Sequence, residues 1–306
     1  MNEIYEKTTQ LLLRVAPSVF KSGKFALKGG TAINLFIREM PRLSVDLDLV
    51  FIDHRLDRTA ALAAISTATH EIAEDLRRQR LEVRVVGVTG VDAKIFIRGN
   101  DGILVKVDIN HVMRGTVLPV CNAAITQAAQ DRFKMSVTVP MLSPSEVYAG
   151  KLIAALDRQH PRDLFDVHQL LLNEGVTAEI MAIFVAYLVG HNRPVHEVLF
   201  GKARDIEQEY RRNFIGMTAD EIALQTLLDA RTKLTSIIHG MLTQNQKDFL
   251  LSLARAQPQW NLIDIPHLQD MPASRWKLQN LTQLQVENAA KFHAQSQELQ
   301  EKLASI

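Results

Sequence analysis

Residues 27 to 51 read LKGGTAINLFIREMPRLSVDLDLVF, and they restrict the fold more than any other stretch of the 306-residue chain. From Leu43 to Phe51 the residues alternate as in a strand. Val45, Leu47 and Leu49 fall on one face, and Ser44, Asp46 and Asp48 on the other, because strand side chains have a period of two. Two carboxylates on one face repel each other and lose hydration when half-buried. A cation with oxygen ligands removes both costs, and Mg²⁺ is commonly held by one or two carboxylates plus substrate phosphates. Just upstream, Gly29-Gly30-Thr31 precedes an apolar run with helical spacing: Ala32, Ile33, Leu35 and Phe36. A Gly-Gly turn opening a helix lets backbone N–H groups approach an anion, and the helix N-terminus adds partial positive charge. Singly, a Gly-Gly is an ordinary turn and an Asp-x-Asp is as often a charged sheet edge. Together they set a phosphate cradle beside paired metal ligands, the equipment of phosphoryl or nucleotidyl transfer.

The string GGT…RLSVDLDL resembles the first motif of the nucleotidyltransferase superfamily. Within that superfamily it is similar to the AbiEii/AbiGii toxin family, whose members act in toxin–antitoxin and phage-abortive (abortive infection) systems. The resemblance implies an α+β fold: a nucleotidyltransferase-fold mixed β-sheet core flanked by helices, followed by a mostly helical C-terminal domain.

The rest of the first half fits such a core. Residues 2 to 20 and 57 to 80 have helical apolar spacing, and the second run ends in Arg77, Arg78 and Arg80. Cations at a helix C-terminus are favoured by its dipole; RNA contact is the lesser reading of that basic group. Phe25 to Leu27, Leu81 to Val88, Ala93 to Arg98, Ile103 to Asn110 and Val137 to Met141 read as strands, with a turn at Gly99-Asn100-Asp101-Gly102. Asp108 lies near the end of one of these strands. It matches the position where many superfamily members carry a third acid; otherwise it is a polar residue ending a strand. Ser143-Pro144-Ser145-Glu146 is a capping box with proline at the first helical position. It sets the expected domain boundary: a nucleotidyltransferase core over 1–142 and a helical domain over 143–306.

In that second domain, residues 146 to 172 read EVYAGKLIAALDRQHPRDLFDVHQLLL. Lys151 and Arg158 are two helical turns apart and share a side. Pro161 ends one helix and starts the next, with Asp163 and Asp166 near its start, where acids also suit the dipole. K-L-x-A-x-x-x-R followed by P-R-D-L-x-D resembles later motifs of the same toxin family, in which a lysine and an aspartate of this segment complete the active site. Carried over, Lys151 contacts the nucleotide phosphates, Arg158 assists, and Asp163 either activates the attacking hydroxyl or orients Lys151; Asp166 is the second choice for that aspartate. His160 and His168 read as structural. Farther on, Thr218-Ala219-Asp220-Glu221 reads as a capping box opening a helix to about Leu242. LQDMPASRWKLQNL is similar to the family's tail, and Trp276 is expected to anchor it by burial. Residues 277 to 304 read as one polar helix with Leu278, Leu281, Leu284 and Val286 as its packing edge.

Composition narrows the classes. Net charge is +1, which opposes a globally basic nucleic-acid coat but allows a local basic groove. The single cysteine, Cys121, excludes an internal disulfide and fits a reducing cytoplasm. With no signal pattern and no apolar run of membrane-spanning length, a cytoplasmic protein with no membrane partner is expected.

The favoured reading is therefore an enzyme. Asp46, Asp48 and Asp108 would hold Mg²⁺ or Mn²⁺; Gly29, Gly30 and Thr31 would cradle the triphosphate of an NTP; Lys28 and Arg42 are nearby cations. The resemblance implies an RNA acceptor, the 3′ end of tRNA being the expected one, so that extension blocks translation and growth, together with a cognate antitoxin. A nucleotidyltransferase acting on a small molecule such as an antibiotic, a kinase-like phosphotransferase acting on a protein, and a non-catalytic binding module are the alternatives.

Overall fold

The computed structural model describes residues 3–87, 92–110 and 113–306; Val88, at the end of one expected strand, lies outside them. The chain divides into two compact units. The first comprises Met1–Val147 with Phe214–Glu221, and the second Tyr148–Asn213 with Ile222–Ile306.

The first unit is built on a mixed seven-stranded sheet in the order β3-β4-β5-β2-β1-β7-β6. The strands are β1 (Phe25–Lys28), β2 (Asp46–Phe51), β3 (Glu82–Val86), β4 (Asp92–Arg98), β5 (Leu104–Asn110), β6 (Cys121–Ala124) and β7 (Thr138–Met141). Its helices are α1 (Glu3–Phe20), α2 (Gly29–Thr31), α3 (Arg58–Arg78) and α4 (Gln127–Phe133), and a π-helical turn, Ala32–Ile37, continues α2. The β-alternation seen in the sequence sorts residues by depth. Val83, Ile95, Ile97, Val105, Val107 and Ile109 are buried, on the face against which α1 and α3 pack. Leu12, Leu13 and Val15 of α1 complete that core at full burial, each contributing roughly 2 kcal/mol of apolar transfer. The residues between them on the strands form the sheet's other face.

The segment Phe214–Glu221 departs from the sequence-based expectation. Thr218 opens no helix. It forms an antiparallel bridge with Arg42, and the Leu43 N–H donates to the Met217 carbonyl at 2.9 Å. Long-range pairing outweighs the local capping signal. The helix instead begins at Leu224, with Ala223 at its N-cap.

α5 (Pro144–Asp157) starts in the first unit and runs into the second. Its first turn is tied down by Glu146, which is fully buried and accepts the N–H groups of Val117 at 2.7 Å and Leu118 at 3.0 Å. The second unit continues helically with α6 (Pro161–Leu172), α7 (Ala178–Val189), α8 (Val195–Leu199), α9 (Glu207–Asn213), α10 (Leu224–Met241), α11 (Gln244–Ala254), α12 (Pro272–Glu287) and α13 (Ala289–Ala304). Phe165, Phe184 and Phe249 are among its fully buried side chains. Two tail expectations need correction. The tail is two helices that meet at Asn288, whose side chain accepts from Lys291 N–H and starts the second. Trp276 is 38% exposed and Val286 82% exposed, whereas the neighbouring Lys277 is buried. The Lys277 ammonium donates to the carbonyls of His191 at 2.8 Å and Arg193 at 2.7 Å.

Candidate active site

Strand pairing brings the acids of the first unit together. β2 and β5 run parallel with Asp48 opposite Asp108 and Asp46 opposite Lys106. β1 adds Lys28 opposite Asp48, and β4 adds Lys94 opposite Asp108 and Phe96 opposite Lys106. Directly paired residues project from the same face. One row across four strands thus reads Lys94, Asp108, Asp48, Lys28, two adjacent acids flanked by a lysine on each side. Asp46, Asp48 and Asp108 are all half-buried, the setting in which carboxylates most need a counter-charge.

Lys106 supplies part of it. Its ammonium lies 2.6 Å from Asp108 Oδ2. Partial burial works against the Lys106 charge, but the hydrogen bond to Asp108 and the fields of Asp108, Asp46 and Asp48 prevail and raise its pKa above the ordinary lysine value. The other oxygen, Asp108 Oδ1, is buried with no hydrogen-bond partner among the described residues. Among the described residues no three His, Cys, Asp or Glu side chains stand close enough to hold an ion between them. The donors nevertheless suit a hard divalent cation: three carboxylates on one sheet face, one with a buried oxygen left unpaired.

The glycine turn is fitted to this row. Gly29 has φ +75°, and a Cβ there would stand 2.3 Å from Asp48 Oδ2; at Gly30 it would stand 2.5 Å from Arg42 Nη2. At Gly29 the backbone thus passes directly beside the carboxylate, and at Gly30 beside the Arg42 guanidinium. The glycines form the first turn of α2 itself rather than preceding it. Thr31 is buried; its hydroxyl hydrogen-bonds Ser44 Oγ at 2.8 Å and also the Asp46 carbonyl. That ties the turn to the start of β2. Arg42, also buried, donates to the Leu43 carbonyl at 2.9 Å.

In the second unit Lys151, Arg158, Asp163 and Asp166 form one cluster. Lys151 Nζ lies 2.7 Å from Asp163 Oδ1 and 3.0 Å from Asp166 Oδ2. Arg158 grips Asp163 with Nε at 2.5 Å and Nη2 at 3.0 Å. Pro161 at the first position of α6 places both aspartates, three residues apart, toward α5. Burial alone would raise the Asp163 carboxyl, but the Lys151 ammonium and the Arg158 guanidinium outweigh it and hold the carboxyl well below the usual carboxylate range. The Lys151 side chain is 5% exposed and that of Arg158 63% exposed, so Arg158 is the cation of the pair open to solvent. His160 caps α6: its Nδ1 accepts the Arg162 N–H at 3.2 Å. Sequence reasoning gave no role to Lys106 or Lys94, because their place beside the acids of β2 and β5 becomes visible only once strand order is known.

The basic end of α3 is locally engaged. Arg77 donates to the Val83 carbonyl at 3.0 Å, and Arg78 pairs with Asp75 at 3.1 Å.

Comparison with known proteins places these features in context. The family model described as "Nucleotidyl transferase AbiEii toxin, Type IV TA system" matches residues 10–279. Among solved structures, MenT4, a nucleotidyltransferase toxin from Mycobacterium tuberculosis H37Rv, has a similar fold. It has a TM-score of 0.59 at 19% identity, over 89% of this chain and 93% of that one. No curated protein matches the chain. No helix among the described residues is long and apolar enough to cross a membrane.

Proposed function

Because the chain belongs to the AbiEii nucleotidyl transferase toxin family of type IV toxin–antitoxin systems, and is thus a nucleotidyltransferase, we propose that it moves a nucleoside monophosphate from an NTP to the 3′ end of an RNA, tRNA being the expected acceptor. The observation that carries this reading is the half-buried Asp48–Asp108 pair, with its unpartnered oxygen, lying beside the side-chain-free turn at Gly29.

In this reading a terminal RNA hydroxyl attacks the α-phosphorus, a new phosphodiester forms, and the bond to the β-phosphate breaks to release pyrophosphate. Gly29, Gly30 and Thr31 hold the triphosphate through backbone N–H groups at the start of α2, since the Thr31 hydroxyl is committed to Ser44 and Asp46. Asp46, Asp48 and Asp108 are the residues that would hold Mg²⁺ or Mn²⁺, which when bound stabilises charge on the attacking and leaving oxygens. Lys28, opposite Asp48, adds positive charge at the turn.

The Lys151 cluster is assigned to the same reaction on the strength of its chemistry. A carboxylate held as low as Asp163 is a poor base. Its part is to orient Lys151 and Arg158, which offset the negative charge of the transferring phosphates. In this reading the carboxylates belong to a nucleotidyltransferase core over 1–142 and these cations to a helical domain over 143–306. The protein acts in the cytoplasm, where NTPs and tRNA are found, and a cognate antitoxin restrains it.

Incubation with labelled NTPs, Mg²⁺ and total RNA tests the reading, followed by sequencing of tRNA 3′ ends from expressing cells. Label on RNA with release of pyrophosphate is expected. Label on a small acceptor, or release of a nucleoside diphosphate, would overturn it. Growth arrest that survives both Asp46→Ala and Lys151→Ala would overturn the catalytic account altogether.

A further inference from the structure

The sheet face that carries the carboxylates continues outward across β5, β4 and β3, and its register is informative. Asp46 is opposite Lys106, Lys106 is opposite Phe96, and Phe96 is opposite Arg84. One unbroken row therefore runs from the carboxylates to the sheet edge as acid, ammonium, aromatic, guanidinium. The Arg84 guanidinium lies over the Phe96 ring, 5.1 Å from its centroid, a cation–aromatic pair on this face. Arg84, Arg98 and Leu104 are exposed and Phe96 is half-buried. Lys94 stands beside Phe96 on β4. Glu82 on β3 faces Arg98 at 3.6 Å, and Arg84 and Lys94 add positive charge on either side of Phe96. Three strand spacings separate β2 from β3, about 14 Å, enough for a few stacked nucleotides.

We propose that this outer face is the track for the acceptor strand. The Arg84–Phe96 pair would stack the bases of a single-stranded RNA end while Lys94 and Arg98 take its phosphates, which delivers the terminal hydroxyl to Asp46 and Asp48. The occupant follows from charge and shape. Aromatic and guanidinium planes with interleaved cations suit unpaired bases on a phosphodiester backbone, and the row is continuous with the catalytic carboxylates. The proposal rests on the RNA-acceptor reading above and deepens it.

Arg84→Ala and Phe96→Leu, singly and combined, test it in the full-length chain. Arg84 is exposed and leucine retains most of the ring's volume, so an unchanged melting temperature confirms folding. With a single-stranded oligoribonucleotide as acceptor, the double variant is expected to raise KM for RNA by about tenfold or more. KM for the NTP and kcat should stay at wild-type values, and the Arg84 variants should show a shallower salt dependence of KM for RNA. Unchanged KM for RNA, or a rise in KM for the NTP instead, overturns the track. Failure of the wild-type chain to label any RNA overturns the acceptor reading itself, a separate result.

Discussion

Gly29 lies so close to Asp48 that a methyl group on it would sit 2.3 Å from Oδ2 and 3.1 Å from the aspartate's Cβ. Gly29→Ala is therefore expected to turn the Asp48 carboxylate out of its row and lower kcat/KM about a hundredfold. Gly102→Ala is the control. Its φ of +81° is similar, but nothing stands within 4 Å. It should cost about 1 kcal/mol of stability and leave kcat/KM unchanged. Parallel kinetics and urea unfolding of the two variants separate contact from backbone strain.

The buried Lys151–Asp163–Asp166 cluster predicts a non-additive series. Lys151→Met leaves two buried carboxylates without their ammonium and should cost about 3–5 kcal/mol. Adding Asp166→Asn should restore part of that loss. Equal destabilisation by the single and double variants in urea melts would refute the coupling.

His160 gives the acid limb of stability a specific source. Burial, reinforced by the Arg162 charge, pushes its imidazole down to about 4 from an ordinary value near 6.5. The unfolded chain takes up the proton first, so the contribution is intact above about pH 6.5 and is lost as pH falls toward 4. Replacement by Asn keeps an N-cap acceptor. Unfolding midpoints of His160→Asn should fall less steeply than wild type between pH 6.5 and 4.

Lys277 acts at the other end of the scale. Burial lowers its pKa to about 8, with Glu197 opposing. Between about pH 8 and 10.5 the unfolded chain binds the extra proton, so wild-type stability should rise with pH relative to Lys277→Met. The difference should grow by at most about 1.4 kcal/mol per pH unit. Urea melts at pH 7, 8.5 and 10 would show it; parallel pH profiles would exclude it.

The parts of the molecule legible in the sequence are those where local pattern and tertiary role agree. The alternation of Leu43–Phe51 and of Ile103–Asn110 marked β2 and β5 and placed Asp46, Asp48 and Asp108 on polar faces. Pro161 marked the break between α5 and α6. β6, with only CNAA, carries no alternation long enough to read, and the seven residues of α4 make only about two helical turns. Thr218 carried a clear helix signal that its pairing with Arg42 overrode. Trp276 drew attention as the bulkiest residue of its segment, yet the adjacent Lys277 is the buried one, because two backbone carbonyls receive its ammonium. The Arg84–Phe96 stack was invisible for a simpler reason: only strand pairing brings those residues together.

The bridge between Arg42 and Thr218 carries a consequence for biosynthesis. Because residues 214–221 return to the first unit, the polypeptide passes from one unit to the other three times, and the amide of Leu43 waits for an acceptor encoded far downstream. On the ribosome, these pairings form only after the region around Met217 has left the exit tunnel, later than any pairing of β2.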